Sequence, residues 1–247
     1  IICNSINIEN DARRALHRAG VNPENRNIVW HLMPNDNAWM RDNGPVYVIE
    51  NGMLRVQNWK FNAWGGAFGE DLAFNNDNAI PIKVGEYLGA PIDQVDIVHE
   101  RGNLEFNGID TVIVNWSTLG DPNRNPGYTR KQAKTDLENL FGVSRVIFIE
   151  GLPEGDLTRG HIDGIARFIN PSTVVVAQCT DGSQCKINDG ATGSIFEHAA
   201  KLISNTGLTV LREPIETYVN HKGRAFDTNY MNWIVGDGYV ISSGFGD

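Results

Sequence analysis

The stretch Gly44–Trp59, GPVYVIENGMLRVQNW, predicts a β-hairpin. Two runs rich in β-branched and aromatic residues flank Asn51-Gly52, and an Asn-Gly pair between such runs is the strongest short-range hairpin signal. The pattern recurs at Asn107-Gly108, and in looser form around Asn170-Pro171-Ser172 and Gly236-Asp237-Gly238. These turns follow one another at intervals of about sixty residues, a spacing typical of a structural repeat.

Helices and short apolar strands are predicted outside the hairpins. The predicted helices are Asn10–Ala19, Thr129–Phe141 and Ala191–Ser204, and the predicted strands are Ile28–Met33, Arg145–Ile149 and Leu208–Leu211. Thr129 suits a helix N-cap, while Gly20 and Gly142 suit helix ends. The repeating unit is therefore hairpin, helix, strand. Because no low-complexity linker divides the chain, we expect one domain over residues 1–247.

Composition excludes several classes of protein. With 41% hydrophobic residues, 247 residues are enough to bury a substantial core. No window approaches about 18 consecutive apolar residues, so no membrane-spanning helix or membrane partner is predicted. A net charge of -9 argues against a nucleic-acid partner, and an acidic surface attracts cations instead. The few cysteines show no zinc-site spacing and favour a reducing compartment, so we expect the cytoplasm.

Gly160-His161-Ile162-Asp163 forms the first candidate site. In an extended segment, His161 and Asp163 would point from the same face of the strand, among apolar neighbours that shift the pKa of a titratable group. Such groups are candidates for a functional site. The alternative is that the two side chains only form a structural hydrogen bond with each other.

Two further constellations stand at the entries to hairpins. In Trp39-Met40-Arg41-Asp42, the indole of Trp39 can stack on a planar cation while Asp42 accepts two parallel N–H bonds. The alternative is a structural Arg41–Asp42 ion pair with Trp39 in the core. Glu100 precedes the next hairpin, so Asp42, Glu100 and Asp163 occupy similar places in three repeats. If the repeats pack around a common axis, these three acids and His161 converge on one centre.

Six motifs, taken in order, resemble the agmatine deiminase family, which is related to bacterial peptidyl-arginine deiminases. They are Trp39-Met40-Arg41-Asp42 with Gly44-Pro45, Phe61-Asn62-Ala63-Trp64-Gly65-Gly66, Glu100 with Gly102-Asn103, Asn123-Arg124-Asn125-Pro126, Gly160-His161-Ile162-Asp163 and Phe245-Gly246-Asp247. The resemblance covers most of the chain. It implies an α/β fold of the pentein type, a five-fold pseudosymmetric propeller of hairpin–helix–strand repeats with its active site on the central axis.

The resemblance also implies a reaction, the hydrolysis of agmatine to N-carbamoylputrescine and ammonia, a step of putrescine biosynthesis. In that family, a cysteine thiolate attacks the guanidinium carbon, expels ammonia and leaves a thiouronium intermediate that water resolves. His161 matches the general acid and base, and Glu100 matches the acid that supports it. Asp42 and Asp163 match the carboxylates that grip the guanidinium nitrogens. No metal or cofactor is implied.

The resemblance gives three further residues a place beside the substrate, and it fails at the nucleophile. Trp39 and Trp64 would line the pocket, with Arg41 as a further substrate-binding residue. The family's cysteine follows a Gly-Gly-x-Ile-His run beyond the motif matched by Phe245-Gly246-Asp247, and nothing here matches that run. Cys179 and Cys185 lack its context. Cys3, in an apolar run, is expected in the core.

Repeat counting points to a longer native chain. At about sixty residues per unit, the 247 residues make about four units, whereas a closed ring needs five. An open ring would expose a sheet edge and an apolar flank. We therefore expect the native chain to extend at both ends. A homo-oligomer is compatible with the sequence.

The substrate and the reaction class each keep alternatives. Arg101 and Arg159 replace a glycine and a small polar or acidic residue that are usual in the family. Either both side chains face solvent or pair with acids such as Glu105 and Asp156, or one meets a substrate carboxylate, which would favour arginine or peptidyl arginine over agmatine. The partner in these readings is a small cationic guanidino compound.

Two readings from other classes remain. The chain would be a guanidino-binding pentein without catalytic activity, since fold alone does not fix function. Alternatively, His161, Asp163 and Glu100 would be metal ligands. Against the metal, Trp39 has no role in a metal coordination sphere.

Overall fold

The structure is a computed structural model that describes residues 1–69, 71–153, 156–179, 195–219 and 225–244. It separates into two compact units, Ile1–Arg101 and Gly102–Asp247.

Short strands and helices alternate along the chain. The strands are β1 (Ile2–Cys3), β2 (His31–Leu32), β3 (Val46–Glu50), β4 (Met53–Lys60), β5 (Ile92–Val98), β6 (Glu105–Phe106), β7 (Thr111–Asn115), β8 (Arg145–Ile149), β9 (Ala166–Asn170), β10 (Thr173–Cys179), β11 (Thr209–Val219), β12 (Ala225–Thr228), β13 (Ile234–Gly236) and β14 (Tyr239–Ile241). The α-helices are Ile6–Arg18, Met40–Asn43, Asn75–Asn78, Ile80–Leu88, Trp116–Leu119, Arg130–Phe141 and Ile195–Ser204. Two 3-10 turns span Arg101–Asn103 and Ile162–Gly164, and Ala63–Gly66 forms a left-handed turn.

Three sheets share one topology. In β3-β4-β5, β6-β7-β8 and β9-β10-β11, an antiparallel hairpin is followed by a third strand parallel to the hairpin's second strand. The crossover between the two parallel strands contains at least one helix in each sheet, as is usual for parallel pairing. The parallel pair β1 and β2 around the helix Ile6–Arg18 repeats the second part of the unit, and the hairpin β13-β14 repeats the first. The predicted hairpin–helix–strand repeat is therefore confirmed.

Helix ends follow the capping signals. Thr129 caps the helix Arg130–Phe141 through a capping box with Gln132, and Gly142 ends it at a φ of +66°. The first helix begins at Ile6, earlier than predicted, because the Ser5 side chain accepts the Ile8 N–H.

Several predicted bounds change. The strand predicted at Ile28–Met33 keeps only His31–Leu32 in register with β1, whereas that predicted at Leu208–Leu211 extends to Val219 as β11. The third predicted helix begins at Ile195, and its predicted residues 191–194 lie outside the described residues.

The sequence patterns do not predict the helix Ile80–Leu88 or strand β5. Gly85 lies inside this helix, and glycine in a helix interior weakens the helix signal. The structure gives Gly85 a packing reason, because a Cβ there would lie 2.6 Å from the Ile92 side chain on β5. Close approach of helix and strand therefore requires glycine.

Each unit has buried apolar residues of its own. In the first, Val56, Trp59, Ile80 and Val95 are among the buried residues. In the second, one continuous core joins two repeats and includes Ile113, Ile147, Ile149, Ile162, Ile165, Val174, Val176, Ile195 and Ile203. Within the described ranges, no helix combines the length and the apolar character needed to cross a bilayer.

The ion pair between Arg55 on β4 and Asp93 on β5 gives the first unit an acid-sensitive contact. Arg55 donates to both carboxylate oxygens of Asp93, with Nε 2.7 Å from Oδ2. The hydrogen bond from Arg55 lowers the pKa of Asp93 in the folded protein. A carboxyl with a lowered folded-state pKa stabilises the fold above its unfolded-state pKa, and this stability is lost as the pH falls through the folded-state pKa.

We therefore expect Asp93→Asn to lower the free energy of unfolding at pH 7 by about 0.5–1 kcal/mol, since the pair is partly exposed. The difference from the wild type should narrow as the pH falls from about 5 to about 2. Urea unfolding at several pH values measures it. Asp96→Asn is the matched control, because Asp96 lies on the same strand and pairs with the exposed Lys60. A difference that stays constant with pH would contradict the prediction.

Candidate active site

Three buried carboxylates precede three equivalent hairpins. Asp42 lies in the one-turn helix before β3, Glu100 stands directly before the 3-10 turn that leads to β6, and Asp163 lies in the 3-10 turn before β9. Their exposed fractions are 8%, 0% and 5%. A buried carboxylate is costly unless other groups compensate its charge, so its recurrence at equivalent places points to a function.

His161 and Asp163 do not lie on one face of a strand, and this prediction is wrong. His161 stands before the 3-10 turn Ile162–Gly164 that contains Asp163, and β9 begins only after that turn. The chain bends here because Arg159 and Gly160 both adopt positive φ angles, +62° and +94°. Both candidate residues are nevertheless buried, with His161 only 4% exposed.

Three side chains bind the backbone directly before His161, and no sequence pattern assigned them to the site. Arg124 Nη2 donates to the Thr158 carbonyl at 2.9 Å, Thr118 Oγ1 to the Arg159 carbonyl at 2.7 Å and Asn115 Nδ2 to the Gly160 carbonyl at 2.7 Å. Arg124 belongs to one of the motifs, but its sequence context gave no sign of this contact.

Asp42 and Trp64, which both belong to the predicted site, are in direct contact. The Trp64 indole Nε1–H donates to Asp42 Oδ2 at 2.9 Å, and the indole is only 3% exposed. Trp64 packs edge-to-face on Phe61, with ring centroids 5.0 Å apart. Its indole therefore orients the Asp42 carboxylate from within the protein, and its place in a pocket wall stays a prediction.

Trp64 reaches Asp42 from a strained backbone. Ala63, Trp64, Gly65 and Gly66 all have φ between +57° and +73°, which makes a left-handed turn. For residues with a Cβ this conformation costs about 1–2 kcal/mol each. Asn62 supports the turn by accepting the Gly65 N–H at 2.9 Å. Strain of this kind persists where the surroundings fix it, often at functional sites.

Arg101 binds the loop that contains Asp42. Its Nη1 donates to the Pro45 carbonyl at 2.9 Å and its Nε to the Arg41 carbonyl at 3.3 Å. Burial lowers the pKa of the Arg101 guanidinium, and the charge of Arg41 lowers it further. These contacts favour a structural role for Arg101 over recognition of a substrate carboxylate.

Trp39 and Arg41 lie shortly before Asp42 in the chain and differ in exposure. The Trp39 side chain is 63% exposed, so it does not belong to the core. Arg41 is half-buried.

Arg159 and Glu105 each pair with a group other than those predicted. Arg159 Nη1 lies 3.5 Å from Asp121 Oδ2. Glu105 accepts Arg167 Nε at 2.8 Å and the Phe168 N–H at 2.7 Å. Burial is the main cause that raises the pKa of Glu105, and the nearby Asp163 carboxylate also raises it.

Neither cysteine in the described ranges suits the role of a nucleophile. Cys3 is buried, and burial, together with the charge of Glu9, raises the pKa of its thiol, which disfavours the reactive thiolate. Cys179 is disulfide-bonded, although reduced cysteines were expected. Cys185 lies outside the described residues.

The predicted site residues belong to both units. Trp39, Arg41, Asp42, Trp64 and Glu100 lie in the first, and His161 and Asp163 lie in the second. Their convergence on one centre stays a prediction. Within the ranges that the structure describes, no three histidine, cysteine or acidic side chains are grouped so that they could hold a metal ion.

Three hairpin–helix–strand units, each with a buried carboxylate before its hairpin, define a mixed α/β repeat protein with a candidate active site. The chain belongs to the Porphyromonas-type peptidyl-arginine deiminase family, whose model matches residues 1–247. A relative from Selenomonas ruminantium is 29% identical over 244 residues, which cover 90% of this chain and 66% of the relative. An agmatine deiminase of Pseudomonas syringae pv. syringae is 39% identical over 155 residues, which cover 60% of this chain and 41% of that protein.

Solved structures show the same fold. A cysteine-to-serine variant of C. jejuni agmatine deiminase with substrate bound matches with a TM-score of 0.82 and 25% identity, covering all of this chain and 68% of that one. The predicted pentein-type α/β fold is therefore confirmed. The chain spans slightly less than two thirds of the length of the Selenomonas ruminantium relative, 66%.

Proposed function

We propose that this chain forms the guanidine-binding part of an amidine hydrolase that converts agmatine to N-carbamoylputrescine and ammonia. The observation that carries the proposal is the likeness of the whole chain to a substrate-bound agmatine deiminase, with a TM-score of 0.82. The 39% identity with the Pseudomonas syringae pv. syringae enzyme supports the same substrate.

Asp42 and Asp163 are proposed to bind the guanidinium nitrogens. Each carboxylate can accept two parallel N–H bonds from a planar guanidinium, and burial strengthens such bonds because water competes less. The contact between Trp64 and Asp42 supports this role, since a carboxylate fixed by one donor has less freedom to lose when it binds a cation. The exposed Trp39 is proposed to stack on the same cation, beside Arg41.

His161 is proposed to move the protons of the reaction. An amide anion is a very poor leaving group, so the departing nitrogen must be protonated before it can leave as ammonia. Imidazole can give that proton and then take one from the water that resolves the thiouronium intermediate. Glu100 is proposed to support the histidine and the substrate, and its complete burial fits a fixed position.

The reaction also needs a thiolate. The bond from sulfur to the guanidinium carbon forms as the bond to the departing nitrogen breaks, and water later releases the sulfur. Since Cys3 is buried and Cys179 is disulfide-bonded, we propose neither as this nucleophile.

Ammonia release by the full-length protein tests the proposal. We expect turnover of agmatine and at least tenfold lower kcat/KM with arginine, because Arg101 already binds two backbone carbonyls. Iodoacetamide should inactivate the enzyme, agmatine should protect it, and peptide mass spectrometry should identify the alkylated cysteine. Chelation with EDTA should leave the rate unchanged.

Other outcomes would identify other functions. Agmatine binding by calorimetry without ammonia release would favour the non-catalytic binding protein. Loss of activity with EDTA, together with resistance to iodoacetamide, would favour the metal site. Preference for arginine or peptidyl arginine would contradict the proposed substrate. It would favour Arg159 as the residue that meets a substrate carboxylate, since its distance to Asp121 is long at 3.5 Å.

The compartment and the oligomeric state remain predictions. A small metabolite as substrate favours the cytoplasm, whereas the disulfide at Cys179 favours an oxidising compartment. Fractionation and light scattering measure these two properties.

A further inference from the structure

We propose that Asn115, Thr118 and Arg124, here called the carbonyl clamp, are positioning residues that set the place of the His161 imidazole. The inference rests on the proposed function, in which His161 transfers protons. All residues that carry it belong to the second unit.

The carbonyl clamp binds three consecutive carbonyl groups. Thr158, Arg159 and Gly160 each present a carbonyl oxygen to one clamp side chain, at 2.9, 2.7 and 2.7 Å. Good hydrogen bonds between these atom types have such lengths. Three separate donors on three successive peptide groups leave the backbone directly before His161 little freedom to rotate.

The N–H groups of the same segment are also bound. Asp156 accepts the Thr158 N–H at 2.9 Å and the Gly160 N–H at 2.6 Å, and Thr158 Oγ1 accepts the His161 N–H at 3.2 Å. The segment is therefore fixed from both sides of its backbone.

Two residues of the segment need this support. Arg159 and Gly160 have φ angles of +62° and +94°. Positive φ is strained at Arg159, because this residue has a side chain. A Cβ at Gly160 would lie 2.7 Å from the Asn115 amide nitrogen, so this clamp contact requires glycine. The clamp thus stabilises a backbone conformation that is unfavourable without these hydrogen bonds.

The clamp is itself rigid. Asn115 and Thr118 are fully buried, as is the Arg124 side chain. Asn103 binds the Asn115 backbone on both sides, donating to its carbonyl at 2.9 Å and accepting its N–H at 3.0 Å. Asp121 pairs with Arg124 at 3.1 Å and compensates its buried charge.

The consequence for catalysis follows from the position of His161. The imidazole is attached one residue after the last clamped carbonyl, so a rotation at Gly160 moves the ring directly. Displacing a proton-transfer group by about 1 Å can cost about 10²-fold in rate. We therefore assign the clamp a role in kcat rather than in substrate affinity.

Thr118→Val tests the proposal in the full-length protein, with Thr118→Ser as the matched control. Valine keeps the shape of threonine but removes the hydroxyl donor to the Arg159 carbonyl, whereas serine keeps it. We expect Thr118→Val to lower kcat for agmatine at least tenfold with KM changed less than twofold. It should also shift the midpoint of the NMR pH titration of the His161 imidazole. The His161 resonance is assigned by its absence from the spectrum of His161→Gln. Thr118→Ser should resemble the wild type in both measurements.

Arg124→Met and Arg124→Lys provide a second pair in case Thr118→Val does not fold. We expect the methionine variant to show the same selective loss of kcat and the lysine variant to recover part of it. Unchanged kcat and an unchanged His161 titration in folded Thr118→Val and Arg124→Met would overturn the proposal. A shifted titration in a protein that releases no ammonia would support positioning but contradict the proposed function.

Discussion

Replacing His161 with asparagine should lower kcat for agmatine hydrolysis by about 10²- to 10⁴-fold, the usual contribution of general acid–base catalysis. Asparagine cannot take up and release a proton near neutral pH, yet it is close enough in size to occupy the same buried place. Because His161 acts in the proposed reaction after the guanidinium has bound, KM should change much less than kcat.

Steady-state ammonia release measures this prediction, and His198→Asn is the matched control. His198 is exposed on the helix Ile195–Ser204, so its replacement should leave both constants unchanged. Rapid quenching during the first turnover should find slower formation of the thiouronium adduct in His161→Asn, because the departing nitrogen would no longer receive its proton. A variant that keeps kcat within threefold of the wild type would exclude His161 as the proton shuttle.

The sequence predicted the repeat better than the site because the two depend on different information. Asn51-Gly52 is a local signal, because a two-residue turn in which both residues have positive φ largely fixes the hairpin around it. At Asn107-Gly108 the glycine has positive φ, and the connection between the strands is longer, from Phe106 to Thr111. The helix Arg130–Phe141 likewise follows from Thr129 and Gly142 alone. In these cases the residues that decide the structure are neighbours in the chain.

The surroundings of His161 depend on residues distant in sequence. Arg124 reaches a carbonyl 34 residues away, Thr118 one 41 residues away and Asn115 one 45 residues away. The alternation rule for strands placed His161 and Asp163 on one face, whereas these distant donors stabilise a bend and a 3-10 turn. No local pattern contains that information.

Trp64 is a second residue whose surroundings could not be predicted from local sequence patterns. Its motif predicts that it lines the pocket, and the structure shows in addition that it contacts Asp42. The contact depends on the left-handed turn at Ala63–Gly66, which aims the indole N–H at the carboxylate, and positive φ at Ala63 and Trp64 is uncommon for residues with a side chain. A sequence rule that assigns backbone shape by residue type does not predict it.

Replacing Asp42 with asparagine should lower kcat/KM for agmatine by about 10²- to 10³-fold, since truncating one partner of a buried charged pair typically costs about 2–5 kcal/mol. The fold should survive, because the asparagine carbonyl can still accept the Trp64 indole N–H at the position of Oδ2. The loss therefore reports the negative charge and the second hydrogen bond to the guanidinium. Calorimetry should show weaker agmatine binding in proportion.

Trp64→Phe separates orientation from charge. Phenylalanine keeps the packing against Phe61 but removes the donor, and a hydrogen bond to a charged group contributes about 1.5–3 kcal/mol. We expect kcat/KM to fall about 10- to 100-fold. The double variant should lose less than the sum of the two single losses, with a coupling free energy of about 1–2 kcal/mol, because Trp64 acts through Asp42. Additive losses would mean that the indole affects catalysis by a route other than Asp42. An unchanged kcat/KM in Trp64→Phe would mean that its hydrogen bond to Asp42 is only structural.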